Sequence, residues 1–123
     1  MKLVVLVPTY NEVDNIAGLI VAVCASVPEA DLLIIDDSSP DGTGAIVTKI
    51  AARDRHIQLL TRKTKEGLGR AYVAGLRWAL ERSYTHVATM DADFSHDPSD
   101  LPRLVAAADD RTVIIGSRYI AGG

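Results

Sequence analysis

The chain alternates short aliphatic runs with longer segments in which apolar residues recur every three or four positions. The runs fall at residues 3–7, 32–35, 57–60, 86–90 and 112–115, and the first two are apolar throughout rather than at every second position. Strands of that kind are buried on both faces, as in parallel sheets. Between the first two runs Val13, Ile16, Ile20 and Val23 line one side of a predicted helix. Ile46, Val47, Ile50 and Ala51 do the same in the second gap, and Leu68, Tyr72, Leu76, Ala79 and Leu80 in the third. Leu101, Leu104, Val105 and Ala108 follow in the fourth, after Asp97-Pro98-Ser99-Asp100. That tetrapeptide has the form of a helix start: an Asp cap, proline at the first helical position and a carboxylate in the first turn. The alternation predicts an α/β fold, an open, mostly parallel sheet with helices on both faces. No linker or repeat interrupts it, so a single domain is expected over residues 1–123.

Composition acts mainly by exclusion. A net charge of −3 leaves no basic excess to neutralise nucleic-acid phosphates. No apolar run approaches the roughly 20 residues of a membrane helix. Lys2 is followed by only five apolar residues before Pro8, too few for a secretory signal. The one cysteine, Cys24, reads as a small core residue in a reducing compartment. The expected location is the cytoplasm, or the cytosolic face of a membrane as a peripheral protein.

Ligands of parallel sheets bind beyond the carboxyl ends of the strands. The first strand runs into Pro8-Thr9-Tyr10-Asn11-Glu12, the second into Asp36-Asp37, the fourth into Asp91-Ala92-Asp93-Phe94-Ser95-His96-Asp97, and the fifth into Gly116-Ser117-Arg118-Tyr119. Asp91 and Asp93 can aim at one hard cation such as Mg²⁺, which takes one or two carboxylates and completes its shell with water and phosphate oxygens. Aspartates also make turns and helix caps. That role suits Asp97, whereas Asp91 comes too early to cap the helix at Pro98. Adjacent residues at a strand end point in opposite directions, so one of Asp36 and Asp37 faces the crevice. Asp41-Gly42 is expected to form a turn. The basic stretch of Arg62, Lys63, Lys65 and Arg70 around Gly67-Leu68-Gly69 could approach an anion through its backbone, but its plain reading is a solvated loop. Tyr72 and Trp78 are expected to pack within the third helix, and the histidines are scattered, with only His96 near the acidic turn.

Five motifs occur in one order: Val7-Pro8-Thr9-Tyr10-Asn11-Glu12, Asp36-Asp37-Ser38-Ser39-Pro40-Asp41-Gly42-Thr43, Gly67-Leu68-Gly69-Arg70-Ala71-Tyr72, Met90-Asp91-Ala92-Asp93-Phe94-Ser95-His96-Asp97-Pro98 and Gly116-Ser117-Arg118-Tyr119. The series resembles the inverting family 2 glycosyltransferases of GT-A fold, and among them the dolichol- or polyprenol-phosphate mannosyltransferases. The resemblance spans residues 4–123. It implies a Rossmann-like, nucleotide-sugar-binding half and transfer of a sugar, mannose from GDP-mannose being favoured, to a polyprenyl phosphate. It places Pro8, Tyr10 and Glu12 against the donor's base and ribose, and Ile35 and Asp37 in the second nucleotide-contacting motif. Asp91, Ala92 and Asp93 match the metal and diphosphate motif, with Mg²⁺ or Mn²⁺ held by Asp91 and Asp93 and with Ser95 beside them. Asp93 and Arg118 are the implied catalytic residues, Arg118 meeting a phosphate where sugar passes to the acceptor. Such an acceptor needs no protein base, because a phosphate monoester with a second pKa of about 6 is already mostly dianionic at neutral pH.

Members of this family continue well beyond the Gly-Ser-Arg-Tyr motif, so the chain is expected to be the N-terminal portion, lacking acceptor-side residues and a membrane-contacting segment. Peripheral membrane association or a membrane-anchored partner is the matching expectation for the full-length enzyme. A phosphorelay receiver fits the length, but wants an acidic pair after the first strand, where Pro8-Thr9-Tyr10 stands. A phosphohydrolase would put its Asp-x-Asp after the first strand, not the fourth. An inactive nucleotide-binding fragment and a family 2 transferase using UDP-glucose remain as alternatives.

Overall fold

The computed structural model describes residues 2–63, 67–92, 98–106 and 113–115. Within them run β1 (Leu3–Thr9), α1 (Ile16–Ser26), β2 (Asp31–Asp36), α2 (Thr43–Ala51), β3 (Ile57–Thr61), α3 (Leu68–Glu81) and β4 (His86–Thr89). A 3₁₀ turn (Pro98–Asp100), α4 (Leu101–Ala106) and β5 (Val113–Ile115) follow. All strand pairings are parallel, in the order β3-β2-β1-β4-β5. This is the doubly wound order of dinucleotide-binding sheets, and it differs from the receiver order, in which the second strand is outermost and the first pairs with the third. The α/β expectation holds.

The strands alternate between two cores. Val5, Val7, Leu32, Ile34, Ile57 and Ala88 point to the face covered by α1 and α2, where Leu101 of α4 also packs. Val4, Leu6, Leu33, Ile35 and Val87 point to the opposite face, covered by α3. Both sides of β1 and β2 are therefore dry, which is why their sequences show no polar alternation.

β1 runs two residues past the expected end, through Pro8 to Thr9. The ladder explains why proline is tolerated. The Leu6 carbonyl accepts from Met90 N–H at 3.0 Å and the Thr9 carbonyl from Asp37 N–H at 3.3 Å. Even-numbered residues here thus turn their peptide groups to β4 and odd-numbered ones to β2. Pro8 lacks the N–H that would have continued the β4 ladder, so β1 parts from β4 there while remaining zipped to β2. The proline helps open the crevice at the point where strand order reverses.

The α3 face departs from its periodicity at one residue: Ala79 is buried and Leu76 packs against the sheet as expected. Leu80, expected on the packed side, is 74% exposed, while Ala71 and Ala79 are buried. The contact line is Ala71, Gly75 and Ala79, at helical steps of four, because α3 lies close on the sheet. A Cβ at Gly75 would come within 2.6 Å of Ile35 Cδ1 and 3.0 Å of Leu6 Cδ1. Pro98 opens a 3₁₀ turn rather than the α-helix itself, and the expected Asp97 cap and Ala108 lie outside the described residues.

Candidate functional site

Two loops leave the sheet side by side at its carboxyl edge. In the β1–α1 loop Asn11 adopts φ 55°, and in the β2–α2 loop Ser38 does the same, a left-handed conformation uncommon for residues with a side chain. The loops hold each other. Asn11 N–H donates to Ser39 Oγ at 2.8 Å, Glu12 N–H to Thr43 Oγ1 at 3.0 Å, and Val13 N–H to Asp41 Oδ2 at 3.0 Å. Asp41 also accepts from Thr43 N–H at 3.0 Å and from the Thr43 hydroxyl, which is the expected turn. Burial works to raise the Asp41 carboxyl, and the hydrogen bonds from Thr43 and Val13 outweigh it, leaving the group below its ordinary value.

The two adjacent aspartates divide as strand geometry requires. Asp36 is buried and turns inward, accepting from the Thr9 hydroxyl at 2.8 Å, Ser39 N–H at 3.1 Å and the Ser39 hydroxyl at 2.6 Å. Asp37 turns the other way, and its Oδ1 faces Arg62 Nη1 at 3.7 Å. Arg62 is therefore no solvated loop residue. Its side chain is only 13% exposed, and its backbone prolongs the β2–β3 ladder, donating to the Asp36 carbonyl at 2.8 Å while its own carbonyl accepts from the Ser38 hydroxyl.

Across the gap, β4 delivers half-buried Asp91 and buried Ala92. Tyr72 reaches over from α3, its hydroxyl 3.4 Å from Asp91 Oδ1. The expectation for Tyr72 was packing alone. A single sequence gives no signal for this contact, which depends on how α3 lies across β4. Burial, with the Asp91 charge and hydrogen bond adding to it, pushes the Tyr72 phenol up to about 12. A phenol raised in the folded state adds stability that is fully present below its unfolded pKa near 10 and is lost as pH rises toward 12. Alkaline titration followed by tyrosinate absorbance should show a late-ionising tyrosine that Tyr72→Phe removes, and the substitution should flatten the loss of stability across that window.

Tyr10, Glu12, Asp37, Asp91 and Ala92 thus all stand on turns at one edge of the sheet, with Pro8 and Ile35 as the paired strand residues behind them. Asp93, Ser95 and Arg118 lie outside the described residues, as do His96 and Lys65. Among the described residues no three His, Cys, Asp or Glu side chains gather around one point. Asp91 is the one carboxylate of the expected metal pair within the described residues, half-buried at the end of β4.

Residues 4–123 match the family described as Glycosyl transferase family 2. The chain belongs to that family. An undecaprenyl-phosphate mannosyltransferase of Micrococcus luteus is 46% identical over 123 residues, covering 100% of this chain and 51% of the relative. A polyprenol monophosphomannose synthase of Mycolicibacterium smegmatis is 43% identical, covering 99% of this chain and 47% of its own length. This family 2 chain therefore spans about half the length of the curated relatives it matches. A solved mannosyltransferase of Pyrobaculum calidifontis, in complex with GDP-Man and Mn²⁺, superposes with a TM-score of 0.70 at 25% identity, over 85% of this chain and 31% of that one. The sheet is accordingly that of a GT-A glycosyltransferase. Among the described residues no helix of this family 2 chain is long and apolar enough to cross a membrane.

Proposed function

We propose that the chain is the donor-binding half of a glycosyltransferase that moves mannose from GDP-mannose to a polyprenyl phosphate with inversion. The observation that carries this reading is the gathering of Tyr10, Glu12, Asp37 and Asp91 beyond the carboxyl ends of the three neighbouring strands β2, β1 and β4. The mannosyltransferase names of the relatives that match it along its whole length support the same reading. Tyr10 and Glu12 bind the base and ribose from the β1 side, and Asp37, steadied by Arg62, does so from the β2 side. Asp91, with Asp93 and Ser95, holds a divalent cation against the donor diphosphate. That cation, when bound, neutralises the departing nucleoside diphosphate. Arg118 orients the acceptor phosphate, whose own charge makes it the nucleophile. Because the acceptor is a lipid, the whole protein works at the cytosolic face of a membrane, held peripherally or by an anchored partner.

Calorimetric titration of the chain with GDP and with UDP, each in Mn²⁺ and in EDTA, tests the donor assignment. Metal-dependent binding of GDP alone is the expected result. Preference for UDP would replace mannose with a uridine-linked sugar, and no binding to either by a folded chain would overturn the donor-half reading.

A further inference from the structure

The alternation of β4 between the two cores decides which way Asp91 faces. Ala88, Met90 and Ala92 point to the face covered by α1 and α2, and Val87 points to the face covered by α3. Side chains two apart along an extended chain share a face, so Thr89 and Asp91 turn toward α3 with Val87. There the phenol of Tyr72 spans both. Its hydroxyl lies 3.4 Å from Asp91 Oδ1, and the Thr89 side chain hydrogen-bonds it as well.

Asp91 stands where the sheet no longer holds it from the β1 side. The register of β4 with β1 ends at Leu6 opposite Thr89, and Met90 N–H adds one bond to the Leu6 carbonyl at 3.0 Å. Asp91 lies beyond that point, in the gap that Pro8 opens. Tyr72, by contrast, comes from a firmly seated helix. Three residues further along α3, a Cβ at Gly75 would come within 2.6 Å of Ile35 Cδ1. A ring carried on a helix packed that closely has only two side-chain torsions of its own, so it works as a stiff arm.

The phenol has one proton to give, and an ionised carboxylate can only accept. Tyr72 is therefore the donor and Asp91 Oδ1 the acceptor. The contact is longer than the roughly 2.6 Å of a tight hydroxyl–carboxylate bond. It directs the carboxylate and leaves most of its charge to act on a cation.

We infer that Tyr72 is a positioning residue of the donor site, holding the Asp91 carboxylate in the direction from which it meets a divalent cation. The inference rests on the reading of Asp91 as a cation ligand.

The test titrates Mn²⁺ at fixed GDP, and GDP in EDTA, into wild type, Tyr72→Phe and Asp91→Asn, at a temperature where melting curves show each chain folded. Phenylalanine keeps the ring on α3 and removes only the hydroxyl. Tyr72→Phe should raise the Mn²⁺ concentration for half-saturation about fivefold, the size of one lost net hydrogen bond, with GDP affinity in EDTA unchanged. A purely structural role would weaken binding in Mn²⁺ and in EDTA alike, and that result overturns the inference. So does a half-saturation point that stays put or falls in Tyr72→Phe; the donor reading survives it if Asp91→Asn abolishes the Mn²⁺ effect in the same experiment. If Asp91→Asn keeps the full Mn²⁺ effect, or wild type is indifferent to Mn²⁺, the ligand assignment of Asp91 falls and the inference falls with it.

Discussion

Asp91→Asn should abolish most of the metal-dependent gain in nucleotide affinity while leaving the fold intact. The substitution keeps the shape of the side chain and its Oδ1, so the Tyr72 hydroxyl retains an acceptor. What it removes is one negative charge at the proposed cation site. Losing a charge-assisted contact costs on the order of 2 kcal/mol, or roughly thirtyfold in affinity. GDP titrations of wild type and variant, in Mn²⁺ and in EDTA, separate this from general damage. Wild type should bind much more tightly in Mn²⁺, the variant should be nearly indifferent to it, and the two should agree in EDTA. A variant that keeps the full metal effect would take Asp91 out of the metal set and leave Asp93 to carry it alone.

Much of this arrangement is legible in the residues themselves, and the parts that are not share a cause. Strand order follows from alternating runs and helices only up to a choice of topology. The five motifs narrow that choice, and the sheet order β3-β2-β1-β4-β5 settles it. Sequence reasoning ends β1 before Pro8, because proline cannot donate to a ladder. It cannot know that the missing N–H faces the side where pairing with β4 stops. The same limit applies to α3. Periodicity selects Leu76, Ala79 and Leu80, but close packing on a sheet puts the smallest residues nearest to it, so Ala71 and Gly75 join Ala79 at the contact while Leu80 is exposed. From that face Tyr72 reaches Asp91. Both departures concern which way a known element faces. Such information resides in tertiary distances rather than in residue types.

Asp36→Ala should be the most destabilising single change in the site, and it should weaken nucleotide binding without removing any ligand contact. Asp36 is 2% exposed and gathers the Thr9 hydroxyl, the Ser39 amide and the Ser39 hydroxyl onto one carboxylate. Alanine would strand these donors away from water, at about 1–3 kcal/mol for each one left unpaired. A net loss of about 3 kcal/mol is expected after relaxation, equivalent to a fall of roughly 10 °C in Tm for a chain of this size. Asp36→Asn should cost less, since one oxygen still accepts, although its amide would meet donors where an acceptor is needed. The effect travels by a definite route. Ser39 donates its hydroxyl proton to Asp36 and accepts Asn11 N–H on the same oxygen. Asp36 therefore fixes the β2–α2 turn that aims Asp37 and, through Ser39, the loop bearing Tyr10 and Glu12. Thermal melts together with GDP titration well below Tm distinguish the roles of the pair: Asp36→Ala lowers both Tm and affinity, while Asp37→Ala lowers affinity with a smaller change in Tm. If Asp36→Ala melted like wild type yet lost nucleotide binding, the assignment would reverse, and Asp36 would be the carboxylate that meets the nucleotide.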